Sequence, residues 1–181
     1  MKIPFLLGKN IYLRPLLEND IGDNYLSWLN DPNVNKYSTR RCFPTSEVAL
    51  RLFFDNSRNN KDLITLAIIC IDNDTHVGNI QLGPIEWVNR SAKISILIGE
   101  KEYWNKGICQ EAIELMTKHA FKTLNLHRLF AGTSNPAFKR IMEKLGWTLE
   151  GTLKEAEFLG GKYVDSYVFG IINKSTGDWS S

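Results

Sequence analysis

The sequence predicts an α/β (α+β) fold, a mixed sheet flanked by a few helices in one domain. Three observations predict it. Strand-like and helix-like segments interleave along the chain; 43% of the 181 residues are hydrophobic, enough for one good core. No repeat, low-complexity tract or Pro/Gly/Ser-rich linker divides them.

Residues 11–16 read as a strand, and residues 20–29 as a helix stopped by Asn30-Asp31-Pro32, since proline cannot continue one. Residues 45–56 form a second helix with Glu47 in the first turn, where the helix dipole favours an acid. The continuous apolar run 63–71 is a strand, Asp72-Asn73-Asp74-Thr75 turns the chain, and residues 76–82 pair back. After a loop carrying Gly83-Pro84, residues 92–98 alternate and are β-branched, as a strand should be. Ile108, Ala112, Leu115, Met116, His119 and Ala120 recur with helical spacing, so residues 108–124 form a long helix. A strand over 127–132 leads to Ser134 or Asn135, either of which can cap a helix that Gly146 ends in a left-handed turn. Residues 147–158 and 162–172 form a hairpin about Gly160-Gly161, and residues 173–181 are a polar tail.

Composition narrows the function. The net charge of +2 comes from dispersed Lys and Arg with no basic aromatic stripe, which argues against a nucleic-acid partner. Cys42, Cys70 and Cys109 are an odd, widely spaced set that suits a reducing cytoplasm, and none pairs with a histidine at metal-ligand spacing. No apolar run approaches membrane-spanning length, and residues 1–7 are too short and too broken by Pro4 for a signal peptide. A cytoplasmic protein with no membrane and no metal partner is expected.

The stretch Tyr103-Trp104-Asn105-Lys106-Gly107-Ile108-Cys109-Gln110-Glu111-Ala112 lies between the strand over 92–98 and the long helix. A helix N-terminus leaves N–H groups without intrahelical partners and carries partial positive charge, so such a turn can hold a pyrophosphate. Gly107 lets the backbone come close. The second unit, Thr133-Ser134-Asn135-Pro136-Ala137-Phe138 through Glu143-Lys144-Leu145-Gly146-Trp147, repeats the strand–cap–helix order.

Together these stretches resemble the GNAT superfamily of N-acetyltransferases. The family's acetyl-CoA loop, Gln/Arg-x-x-Gly-x-Gly/Ala, falls on Trp104-Asn105-Lys106-Gly107-Ile108-Cys109, with Gly107 the strict match and Trp104 and Cys109 as departures. The family pattern Asn-x-x-Ser-x-x-x-x-Glu-Lys-x-Gly-Phe falls on Asn135, Glu143-Lys144-Leu145-Gly146 and Trp147, with Phe138 in place of its serine. The resemblance implies a mostly antiparallel central sheet with splayed central strands, and acetyl-CoA as co-substrate in direct transfer to a primary amine. It places the pyrophosphate on the amides of Asn105 to Cys109, with Lys106 beside them, and the thioester oxygen on an amide of Leu97, Ile98 or Gly99. Asn135 would bond the pantetheine arm, and Lys139 would reach the nucleotide phosphate.

The family's usual acids are missing: Met142 stands where a tyrosine would protonate the thiolate, and Phe138 where a serine would. Ser134 is the substitute acid, with a cap role as its competing reading, and Glu100 at the strand end is the candidate base. His119 reads as a packed core residue, while His76 follows a turn and is expected at the surface. Cys109, at a helix N-terminus, is open to a lowered pKa and hence to an acetyl-cysteine intermediate. Tyr25 to Tyr37 supplies flat faces with hydrogen-bonding edges and resembles the branch that acetylates nucleotide-linked amino sugars; Trp28, Tyr37, Asn79 and Gln81 are its substrate-binding candidates. The same Trp-Leu-x-Asp/Asn-Pro-x-Val pattern occurs in the branch acetylating ribosomal-protein N-termini, and a polyamine or aminoglycoside acceptor or a catalytically silent acyl-CoA-binding protein also stays open. A monomer or homodimer is expected.

Overall fold

The computed structural model describes residues 3–174. The elements in order are β1 (Leu6–Leu7), β2 (Ile11–Pro15), α1 (Asp23–Asn30), α2 (Glu47–Asn59), β3 (Ile64–Cys70), β4 (His76–Glu86), β5 (Ser91–Ile98), α3 (Ile108–Lys122), β6 (Arg128–Thr133), α4 (Pro136–Lys144), β7 (Thr148–Leu159) and β8 (Lys162–Ile172). They build one eight-stranded sheet in the order β1-β2-β3-β4-β5-β6-β8-β7. Every neighbouring pair is antiparallel except β5 with β6.

The strands read as unbroken apolar runs because both faces are covered. In β2 and β3, Ile11, Leu13, Leu66 and Ile68 pack toward α3 and α4, alongside Ala112, Met116 and Met142. The alternate residues Tyr12, Ala67 and Ile69 face the other way, against Phe54 of α2, and Tyr25, Trp28 and Leu29 of α1 pack with Leu50 beside them. The α3 stripe is buried at the helical spacing the sequence shows, His119 included, with Phe5 edge-on to its ring at 5.0 Å. Local caps set the helix starts: Ser46 accepts from the Ala49 amide at 3.2 Å and Asn135 from the Ala137 amide at 2.9 Å, with Pro136 just inside α4.

Most boundaries shift by a few residues from the sequence reading, β1 is an element that it did not include, and two differences have a local cause. The first helix begins at Asp23, because the Asp20 carboxylate is taken by Arg14 at 2.5 and 2.8 Å and by the Leu17 amide, leaving a short 3-10 turn over Glu18–Asp20. The strand expected to end at Leu82 runs on to Glu86, and Gly83-Pro84 makes a register shift inside it rather than a loop, with Ile85 N–H bonded to Asp62 O at 2.8 Å. Most of the expected polar tail, residues 175–181, lies outside the described residues.

The parallel pair makes the feature that matters. It holds only over Ser91↔Arg128, Ala92↔Leu129 and Lys93↔Phe130. Beyond that, β5 stays with β4 to Ile98 and β6 stays with β8 to Thr133, so the two halves of the sheet splay apart toward the strands' carboxyl ends.

Candidate active site

A splayed sheet exposes backbone polar groups that a closed one would pair. The Gly99 amide bonds Val77 O at 2.9 Å, so the amides of Leu97 and Gly99 point to β4 and those of Ile96 and Ile98 point into the gap. Of the three residues expected to supply the oxyanion donor, only Ile98 directs its amide into the gap; Leu97 and Gly99 are turned away. Trp104, the departure at the first loop position, donates its indole N–H to Ile98 O at 2.9 Å and ties the loop to the strand end.

From Trp104 the chain makes a tight turn in which Asn105 (φ 61°) and Gly107 (φ 81°) are both left-handed, and α3 starts at Ile108. The amides of Lys106 to Cys109 have no acceptor among the described residues, and alternating handedness turns such amides inward as an anion-binding nest. These groups fit a pyrophosphate. Lys106 and Lys139 lean over aromatic rings, with Nζ 5.2 Å from the Tyr103 centroid and 4.1 Å from that of Tyr167. Asn135 spends its carbonyl on the α4 cap, and Phe138, in the serine position, packs partly buried against the core.

On the opposite wall of the gap, Ser134 follows directly on β6. Its hydroxyl donates to Glu157 Oε2 at 2.6 Å, and the serine is buried. The sequence reading names Ser134 as the candidate acid and Glu100 as the candidate base and does not single out Glu157. Nothing local distinguishes Glu157 from Glu150 and Glu155 on the same strand; its distinction is that β7 returns to the end of β6.

Glu100 is engaged elsewhere. Its Oε1 accepts from Asn24 Nδ2 at 2.8 Å and from Trp28 Nε1 at 3.1 Å, which fastens α1 to the end of β5. Trp28 itself is only 4% exposed, edge-on to His76 at 5.0 Å, so it offers no open face to a substrate. Asn79 is buried, with Oδ1 3.0 Å from His76 Nε2 and no partner for Nδ2 among the described residues. Gln81 bonds Thr65 at 3.1 Å, and Tyr37 is half-buried with Lys36 Nζ 5.4 Å from its ring centre.

His76 corrects the surface expectation: its side chain is 14% exposed, and burial lowers its pKa below the ordinary 6.5, with Asp20 at 3.8 Å opposing only in part. Cys109 corrects another. Its thiol stands at a helix N-terminus, but burial pushes its pKa up to about 12, which overturns the lowered value expected from the dipole and removes the basis for an acetyl-cysteine intermediate. Among the described residues, no group of three or more His, Cys, Asp or Glu could hold a metal, and no helix is long and apolar enough to cross a membrane.

The segment after α1 closes the far end. Asp31 pairs with Lys101 at 2.5 Å, Asn30 exchanges two hydrogen bonds with Thr45, and Asn35 Nδ2 donates to the carbonyls of Trp28, Leu29 and Asp31. Arg41 then reaches across to the Phe158 carbonyl of β7, so the connection between α1 and α2 bridges both arms of the splay.

Residues 10–148 match the acetyltransferase (GNAT) domain family. The chain belongs to the GNAT acetyltransferases. It is 30% identical over 178 residues to "Probable N-acetyltransferase YjcK" of Bacillus subtilis (strain 168), covering 93% of this chain and 97% of that one. It is 28% identical over 157 residues to a spermidine N(1)-acetyltransferase of Escherichia coli (strain K12), covering 85% and 81%. In fold it is similar to the spermidine N-acetyltransferase of Vibrio cholerae crystallised with CoA and spermine, with TM-score 0.82, 24% identity, and 90% and 95% of the two chains covered. The GNAT assignment makes the chain an acetyl-CoA-dependent N-acyltransferase. Its splay is the family's open central sheet.

Proposed function

We propose that this GNAT enzyme transfers acetyl directly from acetyl-CoA to the primary amine of a nucleotide-linked amino sugar, in a ternary complex at the β5–β6 gap. One observation carries the mechanism: Ser134 and Glu157, bonded at 2.6 Å, stand on the wall facing the Ile98 amide. The co-substrate supplies an activated thioester. Ile98 N–H stabilises the oxyanion as the amine adds to the carbonyl carbon. Glu157 takes the proton that the attacking nitrogen loses; Ser134 gives its hydroxyl proton to the departing thiolate and recovers one from Glu157. Proton count balances, and the missing tyrosine needs no replacement at Met142.

A second reading is a polyamine acceptor, which the names of the Escherichia coli and Vibrio cholerae proteins favour. Against it, three of the four acids of the early segment are occupied, Asp20 with Arg14, Glu18 with Arg51 and Asp31 with Lys101, and only Asp23 makes no ion pair among the described residues. A trication needs carboxylates that are not already neutralised. The deciding experiment follows thiol release from acetyl-CoA with a UDP-linked amino sugar, spermidine and an N-terminal peptide. Turnover confined to the sugar supports the proposal, turnover confined to spermidine or the peptide replaces the acceptor, and acetyl-CoA binding without turnover points to a silent binding protein.

A further inference from the structure

The bridge over the gap carries two arginines that pair with no carboxylate among the described residues. Arg41 is half-buried, its Nη1 donates to Ser38 O at 2.5 Å and its Nη2 to Phe158 O, and among the described residues no carboxylate pairs with it. Two carbonyls orient the guanidinium but leave its charge intact, and three of its five N–H groups remain to be used. Arg40 is exposed beside it, makes no side-chain ion pair among the described residues, and lies close enough to Tyr25 to oppose the rise in that buried phenol's pKa. The Phe158 carbonyl belongs to the residue after Glu157, so the guanidinium is held one residue along β7 from the Ser134–Glu157 pair.

Resting on the N-acetyltransferase reading, we propose that Arg41, with Arg40 beside it, binds an oxyanion carried by the acceptor: a phosphoryl group of a small amine, as in an amino-sugar phosphate or a nucleotide-linked amino sugar. A planar guanidinium held by its neighbours presents a ready fork to two phosphoryl oxygens, and no ordering cost remains to be met on binding. The same charge repels a polycation.

The test is steady-state acetylation by the full chain of four acceptors: a UDP-linked amino sugar, an amino-sugar phosphate, the unphosphorylated amino sugar and spermidine. The expected kcat/KM of the phosphoryl-bearing acceptors exceeds that of the unphosphorylated sugar by about tenfold or more, carried by KM. The advantage shrinks between about 0.05 and about 0.5 M NaCl. In R41Q the ratio collapses toward one, and R41K restores part of it. R40Q, which leaves the bond to Phe158 in place, lowers the ratio by a smaller factor and covers the case in which R41Q does not fold. An advantage shared by both phosphoryl acceptors assigns the site to a single phosphoryl group, and one confined to the UDP-sugar assigns it to the diphosphate. Equal rates with and without phosphate, a preference for spermidine, or an R41Q variant that slows all acceptors alike would each overturn the inference while leaving acetyl transfer standing. No turnover with any amine would overturn the parent reading and the inference with it.

Discussion

Ser134 hands its hydroxyl hydrogen to Glu157 across 2.6 Å, joining two residues 23 positions apart on opposite sides of a helix-and-turn excursion. If this pair moves the protons of the reaction, Glu157→Gln lowers kcat by about 10²-fold or more while acetyl-CoA affinity stays unchanged. Ser134→Ala should lower it less, by about tenfold, since water can replace a hydroxyl. Thiol-release kinetics together with calorimetric titration of acetyl-CoA separate the two parameters; a weakened affinity with intact kcat would place the pair in binding instead.

Gly99 is where the strand end meets α1. A Cβ there would stand 2.0 Å from Trp28 Cδ2, a ring that is buried and anchored to Glu100. Gly99→Ala is expected to cost about 2 kcal/mol or more in urea unfolding through overpacking. Trp28→Phe, which keeps the packing but removes the donor to Glu100, should cost about 1 kcal/mol.

Gly107 presents a different constraint, because nothing lies within 4 Å of its missing Cβ but its φ is 81°. Gly107→Val strains the backbone by about 1–2 kcal/mol and distorts the anion-binding turn. A rise in the KM for acetyl-CoA with little change in the KM for the amine is the expected signature.

Cysteine labelling distinguishes burial from helix dipole. With its pKa at about 12, Cys109 should react with iodoacetamide at pH 8 far more slowly than exposed Cys42. Acetyl-CoA should slow it further, and Cys109→Ala should retain turnover. Mass mapping of labelled peptides with and without cofactor measures both rates.

Stability should fall on mild acidification because of His76. Its folded pKa is lowered, so below 6.5 the unfolded chain takes up a proton that the folded one refuses, and stability drops as pH falls from about 6.5 toward the folded value. The groups facing the ring are Asp20, Arg14, Asn79, Tyr25 and Trp28. Asp20 acts in a lower window. Burial pushes its pKa up, but the Arg14 bond, the Leu17 amide and the neighbouring charges together outweigh this, so its contribution is present above 3.8 and lost as pH falls through the lowered folded value. Thermal unfolding of His76→Gln should be flatter between pH 7 and 5 than that of the parent; an equal slope would assign the effect elsewhere.

Apart from the two-residue β1, the kind and order of the strands and α-helices, the α3 stripe, the Asn135 cap, the Gly146 stop and the turn at Gly107 were legible in the sequence, since each depends on residues within a few positions of one another. Even there, context moved the margins: Arg14 drew Asp20 out of the first helix, and the β4 register shift absorbed a dipeptide that reads as a loop. That Ile98, and not Leu97 or Gly99, directs its amide into the gap depends on the β4 pairing, and that Glu157, and not Glu100, meets Ser134 depends on the path of β7. Arg41 reads as an ordinary surface cation until its bond to Phe158 is seen. Cys109 is the sharpest case: the sequence by itself determines its place at a helix start, and only the tertiary structure decides its acidity. The dipole is a local field, whereas desolvation is set by every element packed around the thiol, and here desolvation prevails.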